Sequence, residues 1–186
     1  MKHSLYQLFA LFLIGALVTG CASPLTATVD HDPSFDFSNV RTIAIQPIDR
    51  TVAATVVISD MQVDRVNQTF TDELSRKGIE VVQDNAAADM LMTWHLVTEE
   101  RMDVRTYNTM SARYTSCWHC GPTTTSDVRV RQYTQGTLIV DLIDPVRLQS
   151  VWRSIIQSRL SEPSNAEEAA ERRREAAAAI FESFPP

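Results

Sequence analysis

An apolar run of fourteen residues, Leu5 to Val18, opens the 186-residue chain and decides how much of it is left to fold as a domain. One basic residue, Lys2, precedes the run, and no acidic residue occurs before Asp30. A basic start, an apolar middle and a small-residue exit form the layout of a secretory signal. As a helix the run would reach roughly 21 Å at about 1.5 Å per residue, short of a hydrocarbon core ~30 Å thick. The segment therefore reads as a removable signal rather than a transmembrane helix. The fold must be built from the residues after position 20.

The exit of the run sharpens this. Val18-Thr19-Gly20-Cys21 resembles the bacterial lipobox, in which an aliphatic residue and two small ones precede the cysteine that is lipidated. Small side chains let a peptidase approach the backbone, and the thiol carries the diacylglycerol. The resemblance implies removal of residues 1–20 and fatty acylation of Cys21. Several acyl chains on one residue make a stable anchor where a single chain binds only marginally. Position 22 is Ala rather than the aspartate that commonly retains lipoproteins of enteric-type bacteria in the inner membrane. By that analogy Ala22 points to the outer membrane, with the domain facing the periplasm and the lipid bilayer as its first partner.

Loss of residues 1–20 removes Lys2 and no acid, so the formal charge moves from −6 to −7. Phosphate binding needs clustered Lys and Arg, so the acidic balance argues against nucleic acid as a partner. The dense basic cluster, Arg172-Arg173-Arg174, is interleaved with Glu167, Glu168, Glu171 and Glu175 and reads as a solvated, salt-bridged helix face. A hydrophobic content of 44% supports a core, and a mature chain of this length suits one domain.

Residues 21–34 read as the lipidated N-terminus and a short tether, and 35–186 as a single domain. Arg41 to Gln46 forms a strand, closed by Pro47. Ser59 and Gln62 have capping-box spacing before a helix whose apolar stripe is Val63, Val66, Phe70 and Leu74, and Gly78 is placed to close it. Ile79 to Val82 is a short strand, and Met90 to Val97 opens a longer one. The stretch 104–128 is polar and lacks a helical stripe, and reads as a long loop or a frayed hairpin tip. Strand pattern returns over Arg129 to Ile143; Asp144-Pro145 turns the chain, and Ser150 to Ile156 is the return strand. Ser164 and Glu167 again have capping-box spacing before a final helix with Ala169, Ala170, Ala177, Ile180, Phe181 and Phe184 on its apolar side. The order predicts an α+β fold: a mixed or mostly antiparallel sheet of about five strands with two main helices on one face.

The series Asp32 to Ser38, Ala88-Asp89-Met90-Leu91, Gly136 to Asp144, Val151-Trp152-Arg153 and Ile180 to Pro186, together with the lipobox, resembles a family of bacterial lipoproteins. That family is catalogued as domain of unknown function 4136. The resemblance covers roughly residues 28–186 and implies an exported lipoprotein with an α+β domain. It brings no assigned reaction or catalytic residues. The 104–128 stretch departs from any family motif. The same pieces have physical readings of their own. Phe35 and Phe37 can pack against the domain edge, and Trp152 reads as a core aromatic. Asp141 and Asp144, three apart on a strand, point to opposite faces and are badly placed for paired acid–base work. Asp144 reads as a turn former.

One constellation carries possible chemistry, Cys117-Trp118-His119-Cys120. With Cys21 taken by lipid, the other two cysteines form an even pair in a compartment that permits disulfides. A local structural disulfide is the favoured reading. Haem attachment would need His after the second cysteine, where Gly121 stands. A zinc site would need His119 and the distant His95, with no second cysteine pair to complete it. A redox pair is favoured by His119, which can stabilise a thiolate, and opposed by Gly121-Pro122 and three β-branched residues, which make a poor helix start.

No catalytic set, metal site or cofactor motif is expected. The leading expectation is a non-enzymatic, membrane-anchored periplasmic module that contacts another envelope protein or a cell-wall component through Tyr107, Tyr114, Trp118 and His119. The alternative is a thiol-redox or metal-handling protein using the Cys117–Cys120 pair.

Overall fold

The computed structural model describes residues 25–49, 58–111 and 123–185. Six strands form one sheet: β1 Ala27–His31, β2 Thr42–Ile45, β3 Glu80–Val81, β4 Met90–Ser111, β5 Thr123–Asp144 and β6 Gln149–Arg159. Two helices accompany them, α1 Asp60–Arg76 and α2 Ala166–Phe181. The sheet order is β1-β6-β5-β4-β2-β3. β2 runs parallel to both of its neighbours, and every other pairing is antiparallel. The expected α+β class with a mixed sheet and two helices is what the chain adopts.

α1 begins as its spacing requires. The Gln62 N–H donates to Ser59 Oγ at 3.3 Å, and the Ser59 N–H donates to Gln62 Oε1 at 3.0 Å. Gly78, at φ +79°, takes the left-handed conformation that closes the helix without a Cβ penalty. The cap of α2 lies one residue beyond the expected Ser164. Asn165 Oδ1 accepts the Glu168 N–H at 2.8 Å, and the Glu168 carboxylate folds back onto the Ser164 N–H at 2.7 Å. Asn is as good a cap as Ser, and Glu168, not Glu167, stands at its third helical position.

This cap should be sensitive to acid. The Ser164 hydroxyl, then the Ser164 N–H and Arg172, hold the Glu168 carboxyl down at about 2. Its folded pKa lies below the ordinary value, so its contribution is complete above the usual carboxylate range and is lost as pH falls towards 2. Glu168→Gln is expected to lower Tm by about 2 °C at pH 7 and by nothing near pH 2, read by thermal melts across that window.

The two helices cover one sheet face. Met90, Met92 and Trp94 of β4, Val140 and Leu142 of β5, Trp152 and Ile156 of β6 and Ile43 of β2 meet Phe70 and Leu74 of α1 and Ala177, Ile180 and Phe181 of α2. Aromatic rings link the layers. Phe181 stacks on Trp152 at 6.0 Å and meets Phe70 edge-on at 5.7 Å, while Phe184 meets Trp152 at 5.2 Å and Phe37 at 6.1 Å. Trp152 is a core residue, and Phe35 and Phe37 pack at the domain edge, as the sequence suggested.

Two expectations need correction. Residues 27–31, read as part of the tether, form the edge strand β1 against β6, which makes six strands rather than five. Their apolar signal is thin because an edge strand shows one face to the core, here through Ala27 and Val29, while Thr28 and Asp30 face away. The second is the 104–128 stretch: of the two readings, long loop or frayed hairpin tip, the described residues follow the hairpin, and they are paired rather than frayed. β4 runs to Ser111 and β5 begins at Thr123, and the two pair without a break.

Candidate functional site

The extended pairing of β4 and β5 produces the most distinctive feature of the molecule. β6 accompanies β5 only as far as Gln135 opposite Arg159. Past a last bond from the Leu160 N–H to the Thr134 carbonyl at 2.8 Å, the eleven pairs from Arg101–Tyr133 to Ser111–Thr123 have no neighbouring strand among the described residues. At about 3.4 Å per residue this two-stranded arm reaches ~40 Å from the sheet.

Period-2 alternation gives the arm two different faces. One carries Glu99, Arg101, Asp103, Arg105 and Tyr107 on β4, opposite Gln135, Tyr133, Arg131, Arg129 and Asp127 on β5. Arg105 and Arg129 stand directly opposite one another, a repulsive pairing. Each therefore turns to an acid on its own strand, Arg105 to Asp103 at 3.3 Å and Arg129 to Asp127 at 3.9 Å. The Arg129 guanidinium also lies 5.7 Å from the centre of the Tyr107 ring, and that of Arg159 3.9 Å from Tyr133. The charges on this face are largely satisfied within the arm.

The other face carries Met102 and Val104 on β4 and Val128 and Val130 on β5, with Val104 directly opposite Val130. These four side chains are 67%, 59%, 56% and 55% exposed. None of the described residues covers them. An isolated two-stranded ribbon is marginal in water, and an uncovered apolar face on one calls for a partner.

A second feature lies at the root of the arm, on the helix side of the sheet. An apolar groove of about 890 Å³ runs over Trp94, Leu96, Leu138 and Ile156, between Val66 and Phe70 of α1 and Ala176 and Ala179 of α2. Leu25 and Leu160 also line it. Arg173 borders it from the apolar stripe of α2, one turn before Ala177 and two before Ile180. Among the described residues Arg173 has no ion pair or hydrogen bond.

The opposite sheet face is partly apolar around a buried charge. Asp141, 7% exposed, accepts from Arg153 Nε at 2.7 Å, Arg153 Nη2 at 3.0 Å and Ser150 Oγ at 2.8 Å. The Asp141 carboxylate raises the Arg153 pKa, first by hydrogen bonding and then by charge. Asp144 points to the other face and caps the turn after β5, accepting the Val146 N–H at 2.8 Å and Arg147 Nε at 2.6 Å. The two aspartates are thus separated across the sheet and serve structural pairs. Arg153→Ala leaves Asp141 with Ser150 alone and is expected to cost about 2–3 kcal/mol, read from urea unfolding midpoints.

Of the expected contact residues, Tyr107 is placed, exposed on the charged face of the arm. Tyr114, Cys117, Trp118, His119 and Cys120 lie in sequence between the two arm strands, outside the described residues, as does Cys21. His95 sits at the sheet's open face, with its Nδ1 buried and lacking a hydrogen-bond partner. Among the described residues no group of three or more His, Cys, Asp or Glu could hold a metal ion. No described helix is long and apolar enough to cross a membrane. Missed by the sequence reading were Met102, Val104, Val128, Val130 and the groove. The signal for the first four was the alternation of apolar residues with Asp103, Arg105, Arg129 and Arg131.

These features define a helix-backed mixed sheet that carries a long two-stranded arm and an apolar groove at its root. The chain belongs to the family described as a domain of unknown function, DUF4136, which it matches over residues 27–186. No curated protein matches it. Among solved structures it is similar to a PDZ domain protein from Parabacteroides distasonis, with 16% identity and a TM-score of 0.52 over 87% of this chain and 35% of that one. The chain thus spans about a third of that protein, and the likeness is one of fold. Fainter likenesses join it to the PelC dodecamer from Paraburkholderia phytofirmans (11% identity, TM-score 0.46, 86% of this chain and 98% of that one). Another is to a DUF4136 family protein from Bacteroides thetaiotaomicron (12% identity, TM-score 0.45, 88% and 95%).

Proposed function

We propose that this protein is a non-enzymatic, lipid-anchored periplasmic module, held in the outer membrane through acylated Cys21, that grips another envelope component with its arm. The observation that carries the binding role is the exposed apolar face of Met102, Val104, Val128 and Val130, on a ribbon that has no neighbouring strand among the described residues. The anchor rests on the lipobox-like Val18-Thr19-Gly20-Cys21 and the Ala at position 22. Tyr114, Trp118 and His119, which join the arm strands in sequence, are taken to extend the same contact, while Tyr107 stands on the ribbon's other, charged face. The occupant is another envelope protein or a cell-wall component.

The test places a photo-crosslinking residue at Val104 or Val130 in living cells, with Arg105 and Arg131 as controls on the charged face. Adducts with one discrete envelope component from the first two positions, and few from the controls, are expected. Equal labelling from both faces, or none, would overturn the assignment. Incorporation of an alkyne fatty acid at Cys21, abolished by Cys21→Ser, tests the anchor separately.

A further inference from the structure

The groove between the helices has a shape and chemistry that the arm does not explain. Its floor and walls are Phe70, Trp94, Leu96, Leu138 and Ile156, and its volume of about 890 Å³ falls in the range of small-ligand sites. Unlike the arm it is concave, and it is long enough to border both helices and three strands.

We propose that this groove binds one acyl chain of an anionic membrane lipid, with the lipid headgroup at Arg173. Two observations choose this occupant. The first is Arg173 itself. It interrupts the apolar stripe of α2, is half-buried, lines the groove, and has no ion pair or hydrogen bond among the described residues; the acids that also line the groove, Glu175 and Glu182, stand two and nine residues further along α2 and its end. A cation in that position is matched by a phosphate or carboxylate at the end of an apolar tail. Its neighbour Arg172 is already engaged, by Glu168 and by the Ser161 carbonyl at 2.8 Å, and so holds the groove wall rather than the ligand.

The second observation is the position of Leu25, which lines the groove four residues after Cys21. Four extended residues reach at most about 14 Å. If Cys21 is acylated, the mouth of the groove is therefore held close to the bilayer surface. This step rests on the anchor reading above; the apolar lining and Arg173 do not.

The test uses the full-length protein reconstituted in phosphatidylcholine vesicles containing a little phosphatidylglycerol with a photoreactive diazirine on its acyl chain. After illumination, labelled peptides are mapped by mass spectrometry, and the mass of the Cys21 peptide is read from the same sample. Adducts are expected on the peptides of Val66–Phe70, Leu138, Ile156 and Ala176–Ala179. Filling the groove by Ala176→Trp should reduce them about tenfold, corresponding to ~1.4 kcal/mol of binding. Ser158→Trp fills it from the sheet side and decides the matter if thermal melts show Ala176→Trp to be unfolded. Arg173→Ala should lower labelling by about three- to fivefold with the phosphatidylglycerol probe and leave a phosphatidylcholine probe unaffected. Undiminished labelling in both folded tryptophan variants, or adducts confined to other surfaces, would overturn the proposal. So would groove labelling seen only in Cys21→Ser, since the occupant would then be the protein's own acyl chain. Groove labelling on a chain whose Cys21 peptide carries no acyl mass would sink the anchor reading alone.

Discussion

Trp152→Ala is expected to destabilise the domain by about 3–5 kcal/mol, the range for truncating a fully buried aromatic. Trp152 is 1% exposed and sits where β6, α2 and the C-terminal Phe184 converge. Its ring stacks on Phe181, which in turn meets Phe70 of α1, so its loss opens a cavity at the joint between the sheet and both helices. Against a total stability of about 5–15 kcal/mol, the variant would lie near the folding threshold. The measurement is a urea unfolding curve, with the midpoint shifted and the slope retained. Trp152→Phe should cost much less, about 1–2 kcal/mol, because the Trp152 Nε1 makes no hydrogen bond that the smaller ring would forfeit. The same change at Trp94 should be worse. Trp94 Nε1 donates to Asn67 Oδ1 at 2.8 Å, and Trp94→Phe leaves that amide of α1 without its partner. A ranking in which the two phenylalanine variants were equally mild would contradict this division between packing and hydrogen bonding.

The parts of the fold that could be read from the sequence are those in which the local signal and the core agree. In α1 the capping box, the stripe ending in Phe70 and Leu74, and Gly78 all mark one helix, and each does in the structure what its residue type demands. Trp152, Asp144 as a turn former and the separation of Asp141 from Asp144 were legible for the same reason: strand periodicity alone sets which face a residue takes. β1 was hidden because five residues at an edge carry two inward apolar side chains, too few to outweigh Asp30 and the neighbouring prolines. The arm was hidden for the opposite reason. Its alternation is regular, yet one of its faces is uncovered apolar surface and the other paired charge, so a search for buried strands passes over it. Of the candidate contact residues, Tyr107 alone among Tyr107, Tyr114, Trp118 and His119 falls within the described residues, and on the charged face rather than the apolar one. The groove leaves no local trace, since its lining comes from seven separate stretches of chain that only tertiary packing brings together.

The second large effect concerns the arm. Val104 and Val130 are directly opposed on its apolar face, so Val104→Lys combined with Val130→Glu replaces an apolar cross-strand pair with an opposite-charge pair. Such a pair supports the ribbon by about 0.2–1 kcal/mol, so the exchange removes the sticky face while keeping the strands together. Neither valine belongs to the core cluster, and both are more than half exposed, so Tm should move by no more than about 2 °C. If the apolar face is the grip on an envelope partner, its centre should behave as a hot spot, and crosslinking to that partner, read from a probe placed at Met102, should fall by at least about tenfold. A control exchange on the other face, Arg105→Glu with Arg129 retained, sets opposite charges across the ladder at the cost of the Arg105–Asp103 pair, and should leave partner capture intact with Tm close to that of the parent. The first variant adds one charge of each sign and leaves the ribbon's net charge unchanged, while the control shifts it by two units and is the harsher electrostatic change. They therefore separate a loss of the apolar surface from any general disturbance of the arm, and a partner lost equally in both would mean that the arm's shape or charge, not Met102, Val104, Val128 and Val130, makes the contact.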